Sequence, residues 1–389
     1  MRSAWKQLAC IDGNVAVLVH GPNGCGQDFS LPNRQSEKAV CYSTDLSERD
    51  VIMGGEDALA SKIGSVCERN RPDVLFVLGT CVSEIIGDDA RGVCAQAAAK
   101  MGVAVIFLPT SGLVEMDGGD IKSIVIDALI DKVMKPGRRV GRSVNFISLD
   151  WPNYTHVKEE LASALTSLNI KLHALLAGNP TLTEIRMAPR AALNVIIDDS
   201  ARDIGMKMQD KFGTPFLAVP RPMGIAGTTR MFELVAEAFG CKKNEAALVE
   251  GWRRRELKRL AKEHPDLKGK SAAVLVRRPY PYLIGAFSEL GLDVTTYCSE
   301  PLSVSDKREL ARYGVRFESE SAPSSDGWSK FDLVFMADPN MPAPKSHLPM
   351  RHIRPPSTFI LYSGMHELAR ELEAELSSRF FRIYGRYCA

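Results

Sequence analysis

With 389 residues the chain is longer than one hydrophobic core serves, so two or three domains are the natural division. Its 49 Lys and Arg against 47 Asp and Glu leave a net charge of +2, too weak a field to gather nucleic acid or a membrane surface. Hydrophobic residues at 45% and charged residues at 25% are ordinary for a soluble globular protein. The apolar stretches at 15–19 and 74–78 fall well below the roughly 18 residues a membrane span needs. The opening MRSAWKQLACIDG lacks the long apolar core of a secretory signal, so the chain reads as cytoplasmic.

Taken in chain order, β-branched apolar runs predict strands at 15–20, 74–79 and 103–108, with a helix at 57–70. Strands follow at 144–149, 172–176, 194–198 and 216–219, with helices at 157–168, 229–239 and 252–262. The last third carries strands at 272–276, 294–297, 333–337 and 358–362 and a helix at 282–290. Continuous apolar strands alternating with amphipathic helices predict parallel sheets covered on both faces. Two seams break the rhythm: KPGRR at 135–139 and the polar linker KEHPDLKGK at 262–270. The predicted fold is α/β, with three Rossmann-like domains of parallel sheets flanked by helices, spanning 1–141, 142–268 and 269–389. Six prolines between 339 and 356 mark a connector.

Nine cysteines are scattered without a dense framework. In a reducing compartment such cysteines are small core residues, ligands or nucleophiles. Cys25 stands in HGPNGCG (20–26) directly after the first strand, and Cys81 stands in LGTCVSE (78–84) directly after the second. Both occupy carboxyl ends of strands, where open α/β sheets place their ligands. A thiolate is the form that ligates iron, and the glycines around Cys25 allow close backbone approach. The plainer reading, two inert cysteines at strand ends, stays open beside it. Two thiolates also fall short of the four a cubane takes, which points to a site shared at a subunit interface.

Other chemistry is weakly represented. No GxxxxGK[ST] loop occurs, so the chain is not expected to hydrolyse ATP itself. Gly118-Gly119-Asp120 and the run Met223-Gly224-Ile225-Ala226-Gly227 do not complete GxGxxG; the second reads as a cap for a helix starting at Thr228. No HExxH is present. His347, His352 and His366 near the C-terminus could approach a cofactor, though surface or core positions are the plainer reading. Arg277 and Arg278, with Tyr280 and Tyr282, read as a solvated strand-end cluster.

At HGPNGCG (20–26), TDLSERDVIMGGEDAL (44–59) and TCVSEIIGDD (80–89), in that order, the sequence resembles the nitrogenase component 1 family. Weaker similarity runs through PRPMGIAGTTRMFELVAEAFG (220–240) and GKSAAVLVRRPYPYLIGAFSELGLDV (269–294), so it spans most of the chain. The resemblance implies an iron–sulfur cluster of 4Fe–4S or 8Fe P-cluster type, held between two related subunits. Cys25 and Cys81 match its metal ligands, and His20, Gly21 and Gly26 shape the turn around it. The implied partners are a homologous catalytic (alpha-type) subunit and a separate ATP-dependent iron–sulfur reductase, in a heterotetramer. No catalytic residue is assigned.

Two departures qualify the match. The family's third cysteine would fall at or before Met1, and Cys10, 15 residues ahead of Cys25, is left unassigned. The middle-domain strand that precedes a cofactor-ligating cysteine in catalytic nitrogenase subunits corresponds to VIIDDSAR (195–202), which has none, and neither Cys241 nor Cys298 replaces it. The chain thus resembles the partner (beta-type) subunit. Cys41 is similar to a partner-subunit cysteine that is not a ligand, and Cys67, Cys94 and Cys388 read as structural. The expected function is an oxidoreductase subunit that relays electrons to the partner's active site, for reductive C–S cleavage of methylthio-alkanes. The alternatives are a tetrapyrrole reductase subunit, a nitrogenase cofactor-assembly scaffold carrying a precursor for another enzyme, and an iron-free binding module.

Overall fold

Residues 15–20 (VAVLVH) and 74–79 (VLFVLG) are buried along their whole length, as strands covered on both faces must be. A computed structural model describes residues 1–25, 39–112, 121–148, 155–177, 179–197, 201–241, 243–276, 281–298, 300–317, 331–336, 350–351 and 359–377. Strands β1 (Val15–His20), β2 (Val40–Ser43), β3 (Val74–Gly79) and β4 (Ala104–Leu108) form a parallel sheet in the order β2-β1-β3-β4. Alternate residues divide between its faces. Val15, Val17, Val19, Phe76 and Leu78 pack with Trp5, Leu8, Ile124 and Ile130 on one side. Ala16, Leu18, Leu75 and Val77 pack with Leu59, Ile63 and Cys94 on the other. This two-residue period sets the helices Arg2–Ala9 and Ile121–Ala128 against one face, and Glu56–Asn70 and Ala90–Met101 against the other.

A second sheet has the order β6-β5-β7-β8, from β5 (Val140–Ile147), β6 (Lys171–Leu176), β7 (Ala191–Ile196) and β8 (Phe216–Ala218). Inside it Asn145 Nδ2 donates to Asn194 Oδ1 at 2.8 Å and to the Ala188 carbonyl at 2.8 Å, satisfying both hydrogens of a buried amide nitrogen between β5 and β7. A third sheet has the order β11-β10-β9-β12-β13, from β9 (Ser271–Val276), β10 (Asp293–Cys298), β11 (Arg316–Phe317), β12 (Leu333–Met336) and β13 (Met350–Arg351). The fold is α/β, with three parallel sheets flanked by helices.

The chain packs as two compact units, residues 1–155 with 169–217 and residues 156–168 with 218–389. The division at 141 and 268 separates the three sheets apart from the first two residues of β5, and we carry it as a proposal about how the sheets are partitioned. The run at 358–362, expected as a strand, is not one: Ile360 makes a single antiparallel bridge to Met223, and Leu361–Ser377 is a helix. Four adjacent apolar residues carry no period, whereas buried Leu361, Met365, Leu368 and Leu372 recur at helical spacing. The helix expected from Thr228 begins at Gly224. The proline-rich segment lies almost wholly outside the described residues.

Candidate functional site

Chain order in the first sheet reverses between β1 and β3, and His20 at the end of β1 registers with Gly79 at the end of β3. A crevice opens at such a switch point because the two crossovers leave in opposite directions. After β1 the backbone makes a short helical turn at 23–25, in which the Cys25 amide donates to the Pro22 carbonyl at 3.0 Å. After β3 the helix Cys81–Ile85 begins under a capping box, Ser83 N donating to Thr80 Oγ1 at 3.3 Å and Thr80 N to Ser83 Oγ at 3.0 Å. Both cysteine-bearing turns therefore leave adjacent strand ends.

Thr80 joins the two turns by donating its hydroxyl to the His20 carbonyl at 2.8 Å. A Cβ at Gly21 would stand 2.5 Å from Thr80 Oγ1, so only glycine lets the first turn pass the second. His20 is fully buried, with Nε2 3.0 Å from Asp88 Oδ2 and Nδ1 3.3 Å from Thr44 Oγ1. Asp88 also accepts from the Gly55 amide at 2.8 Å, and the Gly21 amide donates to Thr44 Oγ1 at 2.9 Å. Burial holds the His20 pKa below its ordinary value, against the opposing pull of Asp88. With a carboxylate as acceptor, the ring hydrogen belongs on Nε2, which leaves Nδ1 an acceptor facing a Thr44 hydroxyl that also reaches the Gly21 carbonyl at 3.2 Å.

Cys25 is half-buried against the core and Cys81 is exposed. Burial pushes the Cys25 thiol up, and the charge of Cys81 pushes it further. The two sulfurs thus repel each other as thiolates, an arrangement that a bound cation reverses. Two thiols of this kind fit half of an iron–sulfur donor set. Cys67, Cys94 and Cys298 are buried, with Cys94 pushed up to about 12 by burial, which leaves it a small core residue. Cys10 closes the helix Arg2–Ala9, and Cys41 packs, half-buried, on the same core as Cys25. Gly26, Asp198 to Ser200, His347, His352 and Cys388 lie outside the described residues.

Residues 9–320 match the family described as Nitrogenase component 1 type Oxidoreductase. The chain belongs to this family. Membership implies an iron–sulfur cluster. Nitrogenase iron-molybdenum cofactor biosynthesis protein NifE of Rippkaea orientalis is 28% identical over 95% of this chain and 83% of its own length. The protein of the same name from Nostoc is 29% identical over 94% and 80%. That of Methanococcus maripaludis is 28% identical over 74% of this chain, which spans 64% of that relative's length. Among solved structures, nitrogenase Cp1 superposes with a TM-score of 0.70 over 98% of this chain and 89% of that one, at 16% identity, which speaks for the fold alone. No helix among the described residues is long and apolar enough to cross a membrane.

Set against the family motifs, the structure adds Thr44, Gly55, Thr80 and Asp88 to the turn-shaping residues. All four stand inside the motifs at 44–59 and 80–89, so the signal was present in the sequence as motif membership, without their roles.

Proposed function

We propose that this chain is one subunit of a nitrogenase-type cofactor-assembly complex, holding part of an iron–sulfur cluster shared with a homologous subunit. The observation that carries this reading is the pair of cysteine-bearing turns on adjacent strand ends at the switch point. Relatives named for iron-molybdenum cofactor biosynthesis favour an assembly role over C–S cleavage of methylthio-alkanes or tetrapyrrole reduction. In this reading the complex carries a cofactor precursor destined for another enzyme and turns over little itself.

Cys25 and Cys81 would supply two thiolates, with the remaining ligands coming from the partner subunit. The cluster, of 4Fe–4S or 8Fe type, supplies one-electron transfer. Gly21 and Gly26 let the first turn approach it, and the buried His20–Asp88 pair fixes that turn against the second. Neutral His20 brings no net positive charge to the thiolates, so their charge is left for iron to neutralise. Lacking a cysteine in 195–202, the chain is the beta-type, non-cofactor member of a cytoplasmic heterotetramer that receives electrons from an ATP-dependent reductase.

The test is anaerobic co-expression with the homologous partner, followed by iron quantification and EPR before and after reduction. Cys25→Ala and Cys81→Ala are each expected to remove most of the iron while the complex persists. Retained iron and unchanged spectra in both variants would overturn the ligand assignment. Transfer from the complex to a cofactor-free nitrogenase component 1, read as restored activity of that enzyme, supports assembly. Substrate reduction by the complex with no such transfer would replace it by a reductase role.

A further inference from the structure

A second cluster of ligating side chains lies in the unit formed by residues 156–168 and 218–389. His264 follows the helix Lys243–Glu263 and leads into the turn Pro265–Leu267, and His366 lies on the helix Leu361–Ser377. Both residues are 7% exposed. Each has one nitrogen held by a carboxylate: His264 Nδ1 is 2.8 Å from Glu373 Oε2, and His366 Nε2 is 3.2 Å from Glu256 Oε2. The remaining nitrogens, His264 Nε2 and His366 Nδ1, are buried and have no hydrogen-bond partner among the described residues. His264, His366 and Glu263 each offer one ligand atom within 4.8 Å of the others, and His366 Nδ1 is the atom nearest Glu263, 3.3 Å from its Oε2.

A buried ring nitrogen without a partner costs free energy, and two in one cluster suit a shared acceptor of their lone pairs. A carboxylate on the far nitrogen is the arrangement that orients a metal-binding imidazole and raises its basicity. Glu263 divides its oxygens in a compatible way: Oε1 accepts from Arg259 Nε at 2.9 Å, while Oε2 lies 3.3 Å from His366 Nδ1 without a hydrogen bond to it. Ligand atoms around a tetrahedral zinc ion are separated by about 3.3 Å, so that edge already has coordination spacing.

We propose that His264, His366 and Glu263 form a binding site for a divalent first-row transition metal of the zinc class. Two imidazoles and one carboxylate select such ions over Mg²⁺ or Ca²⁺, which prefer all-oxygen sites. Three protein ligands leave a fourth position for water or a further ligand. Glu263 is on the solvent side, giving the ion a way in, and the bound ion would tie the two helices together. The site is separate from Cys25 and Cys81 and does not depend on the cluster reading.

Co²⁺ titration of the full chain carrying Cys25→Ser and Cys81→Ser tests it, since this removes the two thiols that would compete. The expected result is one Co²⁺ per chain with visible d–d absorption, displaced by Zn²⁺ and left in place by Mg²⁺ or Ca²⁺. His264→Gln and His366→Gln are expected to weaken binding by at least about tenfold. Because those changes fall in the core, the half-exposed Glu263→Gln is measured beside them, with metal-free melting checked as unchanged. Absence of Co²⁺ uptake, or uptake that Glu263→Gln and His264→Gln leave unaltered, would overturn the site.

Discussion

Gly21 and Gly24 belong to one motif and answer to different constraints. An alanine Cβ at 21 would sit 2.5 Å from Thr80 Oγ1 and 2.7 Å from Thr80 Cγ2, inside contact distance on a fully buried side chain. Thr80 cannot swing aside without giving up its bond to the His20 carbonyl. At 24 nothing among the described residues lies within 4 Å of the added carbon. Gly21→Ala is therefore expected to cost about 1–3 kcal/mol of stability, the usual range for overpacking. Gly24→Ala should change it by less than about 0.5 kcal/mol. Urea midpoints of the two variants check this, and equal losses would contradict the geometry. The same logic makes His20 a scaffold residue, because both of its ring nitrogens are engaged by Asp88 and Thr44.

At the scale of elements, two helices begin without a capping side chain of their own and receive one from elsewhere. The helix Gly224–Ala238 is met by Glu289, whose Oε2 accepts from the Ile225 amide at 2.6 Å and whose Oε1 accepts from the Ala226 amide at 2.8 Å. The helix Leu361–Ser377 is met by Glu160, which accepts from the Tyr362 and Ser363 amides at 3.0 and 3.3 Å. Such bonds satisfy orphan donors and suit the positive end of the helix dipole. Burial opposes them and prevails, pushing the Glu289 carboxyl up to about 7, well above its ordinary range. The folded chain then keeps a proton on Glu289 at pH values where the unfolded chain has lost it. Stability from this group is present below about pH 4.5 and falls as pH climbs to about 7. The loss is on the order of 1–3 kcal/mol. Denaturant midpoints at pH 5 and pH 8 should differ more in the wild type than in Glu289→Gln, and an equal difference in both would refute the assignment.

For the molecule as a whole, the site faces outward at an apolar margin. Ile52 and Met53 end the helix that runs into Gly54-Gly55, and Ile85 ends the helix opened by Cys81. These three side chains are 80%, 76% and 74% exposed, while Asp88 close by is buried. Large apolar groups left in water beside the cysteine-bearing turns suit a surface that another chain covers. Ile52→Asp combined with Ile85→Asp should leave the melting of the isolated chain nearly unchanged. Recovery of the homologous partner in an anaerobic pull-down should fall by at least about tenfold. Undiminished recovery would place the interface elsewhere.

The sequence by itself determined the class of fold and the position of the two cysteines. Runs such as VAVLVH and VLFVLG carry their burial in their own composition, and a cysteine just after such a run must emerge at a strand end. Those signals are local, which is why they can be read without coordinates. The short edge strands Val40–Ser43 and Arg316–Phe317 carried too little apolar pattern to be seen, and FILY at 359–362 read as a strand until helical spacing beyond it decided otherwise. What joins Asp88 to His20 across 68 residues, or Glu373 to His264 across 109, is the topology of the crossovers. Polar partnership depends on which strand ends and helices the chain brings together, and no periodicity along the chain records it. Hence the cysteine turns were legible in the sequence, while the buried knot that fixes them and the paired histidines were decided only by tertiary structure.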